Sequence, residues 1–386
     1  MRRADPIDRQ KEAFALAWLA FVLVTKGRYA EAAAYAQQSL DACPDTGDAW
    51  IRAGSLRLLG AAALFSGRLD EAETRLNECL EACRQIGERR IRIYATTNLG
   101  LIAQARGDYA AARQMLEQAL ELSRQLGDRL SRAELLRNIS RLVLQLGQLD
   151  EVVETIEECR AIYREIGRGD TGAVLWILAA ALRRQGEVDK AYGLLLDGFA
   201  ASKAMDHRPD LAACLTEMGR LVRLQGRLPL SRQVLQEAMA IWQELGNEPE
   251  TAVVWLELGH TSAAGSQPQT AVALEAYDQA LALALRHRLA PVALDGLAGW
   301  ASLLDAEHAT RAVELLALVE RHPASSYWTQ LQATAVLQTL PEAQVTAVRN
   351  RTSLPSWQDM VEKLLQDSAK GSAPCRQPSC PPRACC

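Results

Sequence analysis

"GDYAAARQMLEQALELSRQLGD", Gly107–Asp128, says almost what "GRLDEAETRLNECLEACRQIGE", Gly67–Glu88, has said forty residues earlier. The echo continues in both directions. Glycines stand at Gly27, Gly67, Gly107, Gly147, Gly186, Gly226 and Gly265, at intervals of 39 or 40 residues. A fixed period of this size marks supersecondary units that cannot bury an apolar face alone and therefore stack.

The neighbours of each glycine repeat with it. Five residues on stand Ala32, Ala72, Ala112, Val152, Ala191 and Ser231; eight residues back stand Leu19, Leu59, Leu99, Ile139, Leu178 and Met218. Each of the latter is followed by a small residue: Ala20, Gly60, Gly100, Ser140, Ala179 and Gly219. Large apolar side chains fill the space between two helices, and small ones let the helices approach. Apolar residues recur at helical spacing on both sides of the glycine, as in "IYATTNLGLIAQAR" (Ile93–Arg106) before it. The glycine supplies the left-handed turn between them. Further breaks at Gly47, Gly87, Gly127, Gly167 and Gly246 end the second helix, so each unit is an antiparallel helix pair.

Composition agrees. Aromatic residues make up only 5% and apolar residues 49% of 386 positions, a helix-forming mixture poor in strand formers. The net charge of −4 argues against a general nucleic-acid surface. The apolar run "AFALAWLAFVLV" (Ala13–Val24) is too short to span a bilayer, and Asp5, Asp8 and Glu12 spoil a secretory leader. A soluble, cytoplasmic chain is expected.

The "NLG" of Asn98–Gly100, the turn "GDYAAA" of Gly107–Ala112 and the later small Ala119 resemble the tetratricopeptide repeat. The resemblance covers residues 10–322 as about eight copies, the last two degraded at "SQPQT" (Ser266–Thr270) and "DAEHAT" (Asp305–Thr310). The period of about 40 exceeds the usual 34, the early-helix Trp is missing, and Gly mostly replaces the closing Pro. The expected fold is therefore all-α, a right-handed solenoid of helix pairs. The longer period is similar to the repeat arms of bacterial signal-transduction ATPases and of activators of the maltose-regulon type. "RAVELLALVERHPAS" (Arg311–Ser325) and "LPEAQVTAVRNRTSLPSWQDMVEKLL" (Leu340–Leu365) resemble the way such arms end. That implies a C-terminal helical cap over residues 323–367, followed by a disordered Pro/Ser/Cys-rich tail over 368–386.

The sequence offers little to chemistry. It contains no phosphate-binding GxxxxGK[ST], no GxGxxG and no HExxH, and its five histidines are scattered. Cys43, Cys79, Cys83, Cys159 and Cys214 occupy repeat positions where other copies carry Ser, Ala or Gly, so they read as packing residues. Cys375, Cys380, Cys385 and Cys386 lack metal-ligand spacing. No enzyme activity, cofactor or metal is expected.

The first helices of tetratricopeptide pairs line the concave surface. By that resemblance the inward positions lie 13, 10, 6, 3 and 2 residues before each turn glycine. In the fourth to seventh copies they include Arg137, Arg141, Trp176, Arg183, Arg184, Arg220, Arg223 and Trp255. Copies one and two present Phe14, Phe21, Arg57 and Phe65, among others, so the groove divides into an apolar start and a basic middle. Arginine forks grip carboxylates, and Trp176 offers a flat apolar face. The alternative is a solvated helix face in which these arginines pair with Glu134, Glu217 and their neighbours. The expectation is a non-catalytic regulatory module binding a protein or peptide partner, acidic or carboxylate-terminated, without direct contact to nucleic acid or membrane. A sensor of a signalling peptide or small effector is the second reading.

Overall fold

The computed structural model describes residues 6–43, 49–349 and 355–369. Among them there are α-helices and one short 3₁₀ turn but no strand. Helix α1 (Pro6–Thr25) pairs with α2 (Tyr29–Ala42), α3 (Ala49–Phe65) with α4 (Leu69–Ile86), and α5 (Arg90–Arg106) with α6 (Tyr109–Gln125). Three more pairs follow: α7 (Arg129–Gln145) with α8 (Leu149–Glu165), α9 (Gly172–Arg184) with α10 (Val188–Ala204), and α11 (Arg208–Leu224) with α12 (Leu228–Glu244). The chain continues through α13 (Glu248–Ala263), α14 (Thr270–His287), α15 (Ala290–Ala301) and α16 (Ala309–Arg321). It ends in α17 (Tyr327–Leu337), α18 (Glu342–Arg349) and α19 (Trp357–Ala369). Contacts divide it into two compact units, residues 1–251 and 252–386, with the boundary inside α13.

The expected turn glycines do what the sequence requires of them. Gly67, Gly107 and Gly147 have φ of 82°, 83° and 77°, in the left-handed region where a Cβ is penalised. Polar caps start some of the helices: the Asp108 carboxylate accepts from the Ala111 amide (3.0 Å), and Asp128 does the same for Ser131 (3.1 Å).

Within a pair, the small residue of the first helix meets a large one of the second. A Cβ placed on Gly60 would stand 2.6 Å from Leu76 Cγ, and one on Gly219 2.6 Å from Leu235 Cγ. At Gly100 the distance to Leu116 Cγ is a looser 3.2 Å. Leu76, Leu116 and Leu235 are completely buried. Between pairs the core is continuous, running from Ile93 through Leu116, Leu142 and Ile156 to Ala181. Ion pairs stitch neighbours on the outside, such as Arg106 to Asp70 (2.8 Å) and Arg113 to Glu151 (2.6 Å). The body cysteines Cys79, Cys83, Cys159 and Cys214 are buried among these packed faces.

The first unit also returns on itself. Lys26 Nζ, at the α1–α2 turn, donates to Asp206 Oδ2 (2.8 Å) and to the Asp206 carbonyl (3.2 Å), 180 residues away at the α10–α11 turn. A Cβ on Gly27 would lie 3.0 Å from both Pro209 Cγ and Leu245 Cδ2. The beginning of the stack thus touches its fifth and sixth pairs. No such contact is predictable from a local repeat pattern.

In the second unit Tyr277 is buried between Gly259 and Gly299, where added Cβ atoms would fall 2.6 and 2.5 Å from its ring. Its hydroxyl meets His260 Nδ1 at 2.9 Å. Helix α19 packs on α14 and α15 through Trp357, Val361 and Leu364, and Asp367 pairs with Arg311 at 2.8 Å. Helices α17–α19 follow α16, and α19 runs on to Ala369. The remainder of the expected tail with its four cysteines, and Gly47, lie outside the described residues.

Candidate partner-binding groove

Side chains of the first helices carry the inner face of the first unit. Arg57 on α3 lies with its guanidinium carbon 5.2 Å from the Tyr94 ring centroid on α5 and 5.8 Å from that of Phe21 on α1. Ser131, on α7, donates its hydroxyl to the Tyr94 oxygen at 3.0 Å. The first helices of four successive pairs are thereby joined along one wall. Farther along α7 stand Glu134, Arg137 and Arg141, one helical turn after another.

The wall faces a shared interior. Arg57 and Glu134 feel each other's charge two pairs apart. Arg137 feels Asp210 at the start of α11, and Arg141 feels Glu250 at the start of α13. Burial lowers the pKa of Arg57 and of Arg141 below the ordinary guanidinium value, and it raises that of Glu134 against the opposing pull of Arg137. These guanidiniums remain charged at neutral pH, yet they have lost part of their water. Arg57, Arg137 and Arg141 are all half-buried, and their guanidiniums form no ion pair with a described residue.

Arg183 and Arg220 are placed differently. Both close on Glu217, which is 1% exposed: Arg183 Nε donates to one carboxylate oxygen, and Arg220 donates to the other at 3.1 Å. Burial works to raise the Glu217 pKa, but the two arginines outweigh it and hold it below the usual carboxylate value. Arg183 is itself buried. Trp176 is half-buried between the cores of the pairs on either side. Arg184 is exposed in the last turn of α9, and Arg223 is half-buried on α11. Trp255 is half-buried on the portion of α13 that belongs to the second unit.

Beside the arginines the wall is aromatic. Phe14 (43% exposed) packs against Trp18 and Trp50, each at 6.2 Å between ring centroids, and Trp18 against Phe21 at 5.7 Å. Tyr94 stands thirteen residues before Gly107, at an inner register position of the third copy. Asp210 and Glu250 are not at those positions, and only the curvature of the stack brings them in. Among the described residues no cluster of three ligating side chains could hold a metal ion, and no helix is long and apolar enough to cross a membrane.

Stacked antiparallel helix pairs with half-buried side chains along one inner face define an α-solenoid, a class whose extended concave surface serves recognition. Family models described as tetratricopeptide repeat match residues 12–85 and 92–165, and again 211–245. Over these residues the chain carries tetratricopeptide repeats.

Among solved structures, a Rap protein complexed with Competence and Sporulation Factor is 16% identical and aligns over 94% of this chain and 99% of that one, with a TM-score of 0.62. The APC/C hetero-tetramer Cut9–Hcn1 aligns over 92% of this chain and 55% of that one at 15% identity and a TM-score of 0.52. At such identities the likeness concerns the fold alone. No curated protein sequence matches the chain.

Proposed function

We propose that the chain recognises a protein or peptide partner in the inner face of its first unit, without catalysing a reaction, as a cytoplasmic regulator in bacterial signalling. The observation that carries this reading is the wall of Arg57, Arg137 and Arg141. Three partly dehydrated guanidiniums without ion-pair partners among the described residues favour a ligand that brings its own carboxylates, an acidic segment or a free C-terminus. The adjoining rings of Phe14, Phe21 and Trp50 suit an apolar side chain of the same ligand. The fold likeness to a Rap protein that holds the Competence and Sporulation Factor supports a groove of this kind as a place for a regulatory ligand.

The direct experiment is titration of the protein with a library of labelled short peptides, each made with a free and with an amidated C-terminus. Arg137→Gln and Arg141→Gln should each weaken the best binder by roughly 10-fold or more, as expected for a lost charge-assisted bond. Affinity indifferent to all three arginines would overturn the assignment of the wall. Amidation separates a terminal carboxylate from acidic side chains as the recognised group.

A further inference from the structure

We propose that the first unit alternates between a closed state, in which the beginning of the stack touches its fifth and sixth pairs, and an opened superhelix. The contact of the α1–α2 turn with the α10–α11 and α12–α13 turns is the gate to the arginine wall. The inference about access rests on the reading of the inner face as the binding site, whereas the opening itself does not.

An exception to the repeat lies at this contact. Glycine ends the second helix at Gly87, Gly127, Gly167 and Gly246, each with positive φ. The same place after α10 is held by Asp206, at φ 50°, the one non-glycine with positive φ among the described residues of the first unit. A Cβ-bearing residue adopts that conformation at a cost that glycine avoids. Its partner Lys26 stands before the turn glycine, where the other copies carry Ser66, Arg106, Leu146, Gln185 and Gln225. The repeat gives up its preferred residue at the one break whose side chain reaches the start of the stack.

The joint is also lightly held. Its ion pair is exposed, with Lys26 and Asp206 side chains 41% and 79% accessible, and salt screens such pairs. Besides it there are the close approach of Gly27 to Pro209 and Leu245, and buried Tyr29, whose hydroxyl senses Asn247, Glu250 and Asp210. The third to fifth pairs, by contrast, share one buried core from Ile93 to Ala181. In a stack whose units touch only their neighbours, parting this joint leaves every other interface intact and spreads the change of pitch over all pairs.

Hydrogen exchange on the full chain tests this without any partner. Asp206→Gly suits the local turn better than the native residue, so a purely structural role predicts no loss of protection at the α1–α2 turn. The gate predicts that amides of residues 27–32 exchange about two- to fivefold faster in Asp206→Gly, as for a lost exposed ion pair. Lys26→Ala should speed residues 207–211 by a similar factor, and the double variant should exceed neither single one. Changes confined to the substituted segment, or adding in the double variant, would overturn the closure. Access is read separately from a cysteine placed at Leu144 on the inner wall, by its rate of reaction with a bulky maleimide located by peptide mass spectrometry. That rate should rise in parallel in Asp206→Gly. An unchanged rate would show that closure does not guard the wall. Neither outcome depends on whether the peptide library finds a binder.

Discussion

Gly60→Ala asks whether helices within a pair are held at the distance their small residues dictate. The new methyl carbon would lie 2.6 Å from Leu76 Cγ and 2.8 Å from its Cδ2, against an ordinary carbon–carbon contact of roughly 3.5–4.0 Å. Leu76 has no exposed surface and no free side into which to retreat. Overpacking of this severity costs about 2–3 kcal/mol, at the upper end of its usual range. The gain from replacing a helical glycine by alanine is about 1 kcal/mol. The net expectation is a loss of about 1–2 kcal/mol. Gly100→Ala is the internal control, because at 3.2 Å Leu116 needs to yield only a few tenths of an ångström. There the two effects nearly cancel. Equilibrium urea unfolding followed by circular dichroism, with hydrogen exchange across α3–α4 and α5–α6, compares the two. Adding Leu76→Ala should reveal coupling, the double variant being less damaged than the sum of the singles. Equal stabilities for Gly60→Ala and Gly100→Ala would refute the reasoning, since only the measured gap separates them.

Other expectations follow from the same geometry. Glu217→Gln leaves Arg183 buried beside a neutral amide and should destabilise the protein by about 3–5 kcal/mol in chemical denaturation, whereas breaking exposed Arg28–Glu31 by Glu31→Gln should cost about 1 kcal/mol or less. Because the folded state depresses the Glu217 pKa below its ordinary 4.5, the stability it contributes is complete above that pH and is lost as pH falls through the folded value. A pH series of urea midpoints should therefore show an acid-side decline that Glu217→Gln diminishes. Asp108→Ala removes the cap on the Ala111 amide and should cost about 1 kcal/mol in the same assay. Burial pushes the thiols of Cys159 and Cys214 up to about 12, so both should resist iodoacetamide at neutral pH until the protein is unfolded, as read by peptide mass spectrometry.

The helix pairs were legible in the sequence because each depends on a local requirement repeated many times. A left-handed turn wants glycine at Gly67 or Gly107, and a close helix crossing wants Gly60 or Ala179. The inner register was legible in part. It led to Arg137 and Arg141, but it could not distinguish them from Arg183 and Arg220, because all four share the same helical face. What separates them is Glu217, brought against Arg183 from the next pair, 34 residues on. Sequence spacing states which residues share a face, while charge pairing depends on the angle between successive pairs. The contact of Lys26 with Asp206 depends on that angle summed over several pairs, and the boundary within α13 likewise reflects contacts across many residues. Such accumulated quantities leave no local signature.

Repeat proteins ordinarily grow and shrink by duplicating or losing whole units, since a linear stack tolerates any number. The meeting of Lys26 with Asp206 removes that freedom from the first unit. One extra pair between them would carry Asp206 a full step around and along the superhelix, and one fewer would leave it short. The contact in effect counts the repeats, and descendants of this chain that keep it are bound to change by substitution within its pairs while holding their number constant.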